Sequence, residues 1–198
     1  MAKVIKFPEA VPEKFGLQRA KKVKKEKYEK HGQLNLFTGG KVVRLNRLSP
    51  FEEALMCDEQ GEQDAAISLY LRAIEQKDSQ ADAYCNLGIL QFIKAEYPKA
   101  INSFTNCLKL EPRHFEAHYN LANLYAEVGD LELAKLHYKV SIEIEPTFPN
   151  SYFNLGLTLA MSKDYKEAVR VLYQYRELTS GEDHKQLDDL IFTLQKTT

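Results

Sequence analysis

Long apolar runs are missing from this chain of 198 residues. None approaches the roughly 20 residues that a membrane-spanning helix requires, which excludes a transmembrane protein. The start of the chain carries lysines and a proline where a secretory signal needs an unbroken apolar stretch. Cysteine is scarce too, because three residues without CxxC spacing imply no disulfide framework and predict reduced, mostly buried thiols. We therefore expect a cytoplasmic protein that does not contact a membrane.

Motifs that carry catalysis are absent as well. The chain has no Gly-rich phosphate loop, no Gly-x-Ser-x-Gly elbow and no His-Glu-x-x-His metal motif. His114 and His118 are four residues apart and could share a helix face, but no Cys or further His follows at ligand spacing. The acidic residues are scattered, without a pair isolated in an apolar segment. We predict a protein that is not an enzyme and that needs neither a metal nor another cofactor.

Charge is unevenly distributed along the chain although the formal net charge is −1. Residues 1–50 contain 13 Lys and Arg against 4 Asp and Glu, a net charge of +9. Residues 51–198 contain 14 Lys and Arg against 24 Asp and Glu, a net charge of −10. A basic arm therefore precedes an acidic body, which favours a partner that recognises charge.

A repeat of 34 residues organises the acidic body. Three blocks with an aromatic or His residue, Asn-Leu and then Gly or Ala follow one another at this step, at 83–88, 117–122 and 151–156. A column of alanines keeps the same step, at Ala66, Ala100, Ala134 and Ala168. Apolar residues recur at helical spacing within each unit, and small residues let neighbouring helices approach closely. The pattern predicts pairs of helices that stack in sequence.

These columns resemble the tetratricopeptide repeat family, whose unit is a helix–turn–helix of the same length. The resemblance implies an all-α fold, a right-handed α-solenoid. We place four repeats at 47–80, 81–114, 115–148 and 149–182, the first and last of which match the pattern less well. Ser49-Pro50-Phe51-Glu52 is a capping box that predicts where the first helix begins. Residues 183–198 contain apolar residues at i, i+3, i+4 and i+7, which predicts a helix that caps the last repeat.

Residues 1–46 are expected to form a basic, largely flexible arm with a short β-hairpin at 33–45 around Gly39-Gly40. The candidate contacts to DNA or RNA are Arg19, Lys21, Lys22, Lys24, Lys25 and Lys27. The same basic segment could instead be a solvated tail, or could dock on the acidic repeats of its own chain. Residues 33–37 are similar to the pentapeptide that docks bacterial proteins on the DNA sliding clamp, through Gln33, Leu34, Leu36 and Phe37. Residues 32–45 also resemble linkers of bacterial MerR-type regulators, which suggests a bacterial origin.

The family resemblance implies a concave groove lined by the first helix of each repeat. Carried over by repeat position, the principal groove residues are Phe51, Leu55, Asp82, Cys85, Ile89, Phe92, Tyr119, Asn123, Glu127, Phe153 and Leu157. The other residues at these positions are Leu48, Asp58, Glu59, Ile93, Glu116, Ala126, Asn150, Ala160 and Met161. Packing between repeats is an alternative role for the same residues, and spacing alone leaves it open.

None of these positions holds Lys or Arg, so a clamp for a C-terminal carboxylate is not expected. An apolar groove with an acidic edge instead favours a basic or amphipathic peptide. We therefore predict a protein-interaction module, a scaffold or adaptor. The alternative is a nucleic-acid-associated adaptor, in which the arm contacts DNA or RNA and the repeats recruit a protein. The identity of the partner is not encoded in a repeat scaffold.

Overall fold

The computed structural model describes residues 48–180 and 184–197, and within them the chain is entirely helical and loop. The arm and the hairpin predicted at 33–45 lie outside the described residues. The helices are α1 (Pro50–Glu59), α2 (Gln63–Glu75), α3 (Gln80–Ile93), α4 (Tyr97–Leu110), α5 (Phe115–Glu127), α6 (Leu131–Ile144), α7 (Pro149–Met161), α8 (Tyr165–Leu178) and α9 (Lys185–Gln195). None of these described helices is both long and apolar enough to cross a bilayer.

The predicted capping box fixes the beginning of α1. Ser49 Oγ accepts a hydrogen bond from the Glu52 amide at 3.3 Å, and Glu52 Oε2 accepts one from the Ser49 amide at 2.9 Å. Pro50 occupies the first helical position, where its missing N–H leaves no bond unmade. Asp78, from the end of the same repeat, accepts a hydrogen bond from the Phe51 amide at 2.9 Å. The first turn is thereby tied to its own repeat.

The helices pair into four hairpins, α1–α2, α3–α4, α5–α6 and α7–α8, and each hairpin packs on the next. The second helix of one hairpin contacts the first helix of the following one, so the stack propagates along the chain. This is the all-α solenoid that the 34-residue period predicted.

Glycine is required where two helices of a hairpin approach most closely. A Cβ at Gly88 in α3 would lie 2.7 Å from Cε1 of Phe104 in α4. A Cβ at Gly156 in α7 would lie 2.6 Å from Cδ2 of Leu172 in α8. Real Cβ atoms do not approach carbon atoms this closely, so the Phe104 ring or the Leu172 side chain would have to move. The small-residue column of the sequence therefore marks the contact line of the hairpins.

The turn inside each hairpin uses a left-handed residue at the same repeat position. Gly61 and Gly129 have φ values of 79° and 85°, and Ala95 and Lys163 have values of 57° and 66°. Gly61 and Gly129 suit these turns, because glycine adopts positive φ without steric cost. Ala95 and Lys163 take the same conformation without the residue that favours it.

The last helix, α9, packs against α8. Its buried side chains are Leu187, Leu190, Ile191 and Leu194. They belong to the same core cluster as Val171, Leu172 and Tyr175 of α8. Because α9 occupies the place that the first helix of a further repeat would take, it covers the apolar face that α8 would otherwise present to solvent.

Candidate peptide-binding groove

The first helices α1, α3, α5 and α7 carry the predicted groove residues, and most of these residues are buried. Seven of them are at most 2% exposed: Phe51, Cys85, Ile89, Tyr119, Asn123, Phe153 and Leu157. Leu55, Asp82 and Phe92 are half-buried, and Glu127 is exposed. The accessible part of the predicted groove is therefore smaller than the residue positions alone suggest.

Aromatic contacts across each hairpin involve several of the buried groove residues. The ring of Phe51 lies 5.9 Å from that of Tyr70 in α2. Tyr119 is 6.0 Å from Tyr138 in α6, with the rings edge to face. The ring of Phe153 lies 5.2 Å from that of Tyr175 in α8 (centroid distances throughout). Such pairs stabilise the contact between two helices, so these side chains hold the hairpins together.

A buried hydrogen-bond network connects the third and fourth repeats. Tyr138 donates to Asn123 Oδ1 at 2.6 Å. The side-chain amide of Asn154 donates to Tyr119 Oη at 3.0 Å and to Asn123 Oδ1 at 3.1 Å. Burial raises the pKa of Tyr138 well above its ordinary value, so its hydroxyl remains a donor. Asn123 therefore joins α5, α6 and α7, a role in packing that its repeat position did not reveal.

The accessible surface of the first helices combines apolar side chains with acidic ones. Ile93 is 48% exposed and Met161 is 39% exposed, at the ends of α3 and α7. Phe92 is half-buried beside Ile93 and contacts Tyr97 of α4, with the ring centroids 5.7 Å apart. The acidic residues with accessible surface on these helices are Glu52, Glu53, Glu59, Asp82, Glu116 and Glu127.

His114, at the N-cap of α5, connects α5 to α3 from a buried position. Its Nε2 lies 3.1 Å from Asp82 Oδ1 of α3. Its Nδ1 accepts from the Ala117 amide at 3.2 Å when the ring is neutral, and lies 3.2 Å from Glu116 Oε2, to which it can donate when protonated. Burial alone would lower the pKa of His114, but hydrogen bonds to Asp82 and Cys107 outweigh it and raise the pKa to about 10.

His118 does not join His114 in a chelating pair, but lies against a histidine of the next helix. His118 Nδ1 is 2.9 Å from Nδ1 of His137 in α6. Sequence reasoning missed His137 because it is 19 residues away. No local signal could have found it, because the contact depends on how α5 and α6 pack against each other. Among the described residues, no three His, Cys, Asp or Glu side chains form a group that could hold a metal ion.

The cysteines are free thiols. Cys85 and Cys107 are fully buried, and Cys57 is partly exposed. Burial raises the pKa of Cys85 well above its ordinary value, and the side-chain amide of Asn120 lies 3.8 Å from its sulfur. The expectation of mostly buried thiols is therefore met by two of the three.

The fold and the first-helix face define a helical-repeat protein, and comparison with known sequences gives its family. Profiles described as "TPR repeat" and "Tetratricopeptide repeat" match residues 56–94, 81–114, 103–135 and 137–170, more than half of the chain. The chain belongs to the tetratricopeptide repeat family. Proteins of this family are protein-interaction scaffolds and are generally not catalytic.

Individual relatives share the repeats and only part of their own length with this chain. Photosystem I assembly protein Ycf3 of Acaryochloris marina is 32% identical over 101 residues, which cover 50% of this chain and 61% of that protein. Anaphase-promoting complex subunit 3 of Schizosaccharomyces pombe is 29% identical over 110 residues, which cover 56% of this chain and 16% of that protein. The match thus spans less than two thirds of either relative.

Solved structures show the same fold at low sequence identity. The protein TTC0263 of Thermus thermophilus superposes with a TM-score of 0.59 at 21% identity, covering 73% of this chain and 81% of that one. The TPR2B domain of yeast Sti1, solved in a complex with pHsp70, has a TM-score of 0.55 at 21% identity. It covers 60% of this chain and 98% of that domain.

Proposed function

We propose that this chain is a non-catalytic adaptor whose first-helix face binds a basic or amphipathic peptide. The observation that carries the proposal is the composition of the accessible surface on α1, α3, α5 and α7. Ile93, Met161 and Phe92 supply apolar contact, while Glu59 and Glu127 supply exposed negative charge. Apolar contact contributes affinity, and complementary charge selects the partner and speeds its association.

The buried members of the predicted groove support this function indirectly. The contacts that Phe51, Tyr119 and Phe153 make across their hairpins fix the spacing of the first helices. A preformed face loses less conformational entropy on binding than a face that must order itself around the peptide. Substituting Tyr119 or Phe153 would therefore damage the fold, so exposed residues are the better tests of binding.

The probe for this test is a labelled synthetic peptide with the sequence of residues 19–30, which carries seven Lys and Arg. Fluorescence anisotropy against the full chain measures its affinity at low and physiological salt. We expect Ile93→Lys and Glu127→Lys each to weaken binding at least tenfold, because the first removes apolar contact and both place a positive charge on a face that attracts a basic peptide.

Leu136→Lys is the matched control, because Leu136 is 54% exposed on α6, a second helix. It changes the net charge as Ile93→Lys does but leaves the first-helix face intact. Equal weakening by Leu136→Lys and Ile93→Lys would show nonspecific attraction and overturn the proposal. Absence of binding would do the same if the probe fails to bind both the unsubstituted chain and a chain in which the Lys and Arg of residues 19–30 are changed to Gln.

The charge asymmetry favours a second candidate function, contact with nucleic acid through the arm. The relevant residues, Arg19, Lys21, Lys22, Lys24, Lys25 and Lys27, lie outside the described residues. Anisotropy of a labelled duplex with the full chain tests this candidate. Affinity that falls steeply with salt and is lost when these six residues are changed to Gln would support it. Duplex binding unaffected by these changes would contradict it.

Docking on a sliding clamp stays a prediction that rests on the pentapeptide resemblance. Gln33, Leu34, Leu36 and Phe37 also lie outside the described residues. Leu36→Ala with Phe37→Ala would abolish binding to a bacterial clamp in a pull-down, if the resemblance reflects function. Clamp binding that is absent from the unsubstituted chain would remove this candidate.

A further inference from the structure

The two helices of each hairpin carry different charge. The first helices α1, α3, α5 and α7 contain seven Asp and Glu and no Lys or Arg. The second helices α2, α4, α6 and α8 contain eight Lys and Arg against six Asp and Glu. The negative charge of the repeats is therefore concentrated on one layer of the stack. A basic ligand is attracted to the first helices and gains nothing from the second.

Exposed residues at the ends of the first helices form a row in which acidic and apolar side chains alternate. The row contains the last residue of each first helix, at steps of 34 residues: Glu59, Ile93, Glu127 and Met161. All four are exposed. Glu59 and Glu127 form no ion pair with a described residue, unlike Glu53, which pairs with Arg72 of α2. The row thus suits a ligand that carries both cations and apolar groups.

Residues 19–30 of the chain have this composition. They contain seven Lys and Arg against Glu26 and Glu29, a net charge of +5. Ala20, Val23 and Tyr28 are interspersed among the cations. Complementary charge and apolar contact therefore point to a ligand encoded in the same chain.

The arm is attached at the edge of the first-helix face. Leu48, directly before α1, is 45% exposed. Asp82 and Glu116 occupy the equivalent position of the next two repeats, at steps of 34 residues. The chain that precedes α1 is therefore tethered on the same side of the stack as these two carboxylates.

The connection is long enough for residues 19–30 to reach the third repeat. Residues 31–47 separate the segment from α1, and in extended form they span at most about 60 Å. The path from α1 to α5 takes four helix-to-helix steps of about 8–10 Å, at most about 40 Å. If residues 33–45 form the predicted hairpin, the connection is shorter, but the segment itself then spans up to about 40 Å. Glu59 and Glu127 are within reach in either case.

We propose that residues 19–30 dock on the first-helix face of their own chain and compete with an outside partner for it. This docking rests on the peptide-binding function proposed above, because the face is the same. An attached segment acts at an effective concentration of about 1 mM over a short linker. A segment that binds its face with a Kd of about 0.1 mM then occupies about nine-tenths of the chains and weakens an outside ligand about tenfold.

Fluorescence anisotropy with the labelled peptide of residues 19–30 measures the competition. The two proteins compared are the full chain and a full-length variant in which the seven Lys and Arg of the segment are changed to Gln. We expect the peptide to bind the variant about tenfold more tightly at low salt. The difference should shrink at physiological salt, because screening weakens the docked segment. Circular dichroism should be unchanged, since the substituted residues precede every described helix.

The matched control removes the same number of cations from the second helices. Its seven substitutions to Gln are at Lys99, Lys109, Lys135, Lys139, Lys166, Arg170 and Arg176. The change in net charge is identical, while the segment and the first-helix face are intact. Its affinity for the peptide should rise less than about threefold. An equal rise in both variants would assign the effect to net charge and overturn the proposal.

A zero-length carbodiimide cross-linker, which joins an amine directly to a carboxylate, shows where the segment lies. Applied to a mixture of light and ¹⁵N-labelled full chains, it should join lysines of the segment to Glu59 or Glu127 within one chain, as identified by mass spectrometry. Cross-links between light and heavy chains would show that a second copy supplies the segment, contrary to the proposal. Cross-links confined to acidic residues of the second helices would also contradict it.

The outcomes separate the docking from the proposed function. Equal peptide affinity for the full chain and the segment variant would exclude the docking. The face would remain the binding site if Ile93→Lys still weakened binding of the peptide. Absence of peptide binding to either protein would remove the proposed function itself, and the docking with it.

Discussion

At the scale of single residues, the turn inside each repeat requires a residue with positive φ, and only some of the repeats have glycine there. Positions 61, 95, 129 and 163 all have positive φ, and glycine occupies only the first and third. The left-handed conformation costs a residue with a Cβ roughly 1–2 kcal/mol. The second and fourth repeats therefore store strain that the first and third do not.

Ala95→Gly and Lys163→Gly should each raise the free energy of unfolding by about 0.5–1 kcal/mol. The relief of strain at positive φ exceeds the extra entropy that glycine gives the unfolded chain. Urea denaturation followed by circular dichroism measures the change. The reverse substitution Gly61→Ala is the control and should be destabilising, because alanine disfavours the φ of 79° at this position. The added Cβ would meet no atom within 4 Å, so a steric clash does not contribute to the effect. Destabilisation by both glycine substitutions would contradict the argument.

The contact between His114 and Asp82 makes the junction of α3 with the start of α5 sensitive to pH. The pKa of His114 is about 10 in the folded chain, against an ordinary value of 6.5. The folded state therefore binds this proton more strongly, so the pair's stabilisation is full below about pH 6.5 and declines as pH rises toward 10. Cys107 and Glu116 also face the imidazole, so the pair has to be isolated from their titration.

A double-mutant cycle with His114→Asn and Asp82→Asn isolates the pair, because contributions from the other groups largely cancel. Asn at 114 retains an oxygen that can cap α5. We expect a coupling energy of about 1–3 kcal/mol at pH 6 and a smaller one at pH 10, measured by urea denaturation. Equal coupling at the two pH values, or stronger coupling at pH 10, would show that His114 is not protonated in the fold.

At the scale of elements, α9 protects the end of the stack through one face. Leu190 is buried against α8, while Phe192 on the same helix is 57% exposed. Leu190→Ala should lower the free energy of unfolding by about 2–4 kcal/mol, because the cavity it leaves cannot fill. Phe192→Ala should cost less than about 1 kcal/mol, since it loses little beyond its contact with the Lys196 ammonium. Urea denaturation of both variants checks the difference, and similar losses would contradict this role for α9.

The helices themselves could be predicted closely from local signals. The capping box at Ser49 and the apolar spacing of α9 are properties of short segments, and the structure places helices at both. The turns at Ala95 and Lys163 lack a glycine, so no local signal marked their left-handed backbone. Packing of the hairpins imposes that conformation, and no single residue type predicts such packing.

At the scale of the whole molecule, the repeat period predicted the solenoid but not the surface it leaves accessible. Repeat position identifies which residues share a column along the stack. It does not tell whether a side chain such as Asn123 faces solvent or bonds to Tyr138 and Asn154. The contact of His118 with His137 has the same origin, since it depends on how two helices meet.

The residues that hold the hairpins together are therefore different from those that form the accessible face, although both sets lie on the first helices. Tyr119 and Phe153 fix the hairpins, whereas Ile93, Glu127 and Met161 lie where a partner can reach them. Substitutions at the second group alter the accessible chemistry with little effect on folding. A lineage of such proteins can thus exchange one partner for another in a few mutational steps, while selection for foldability acts on residues that the partner never touches.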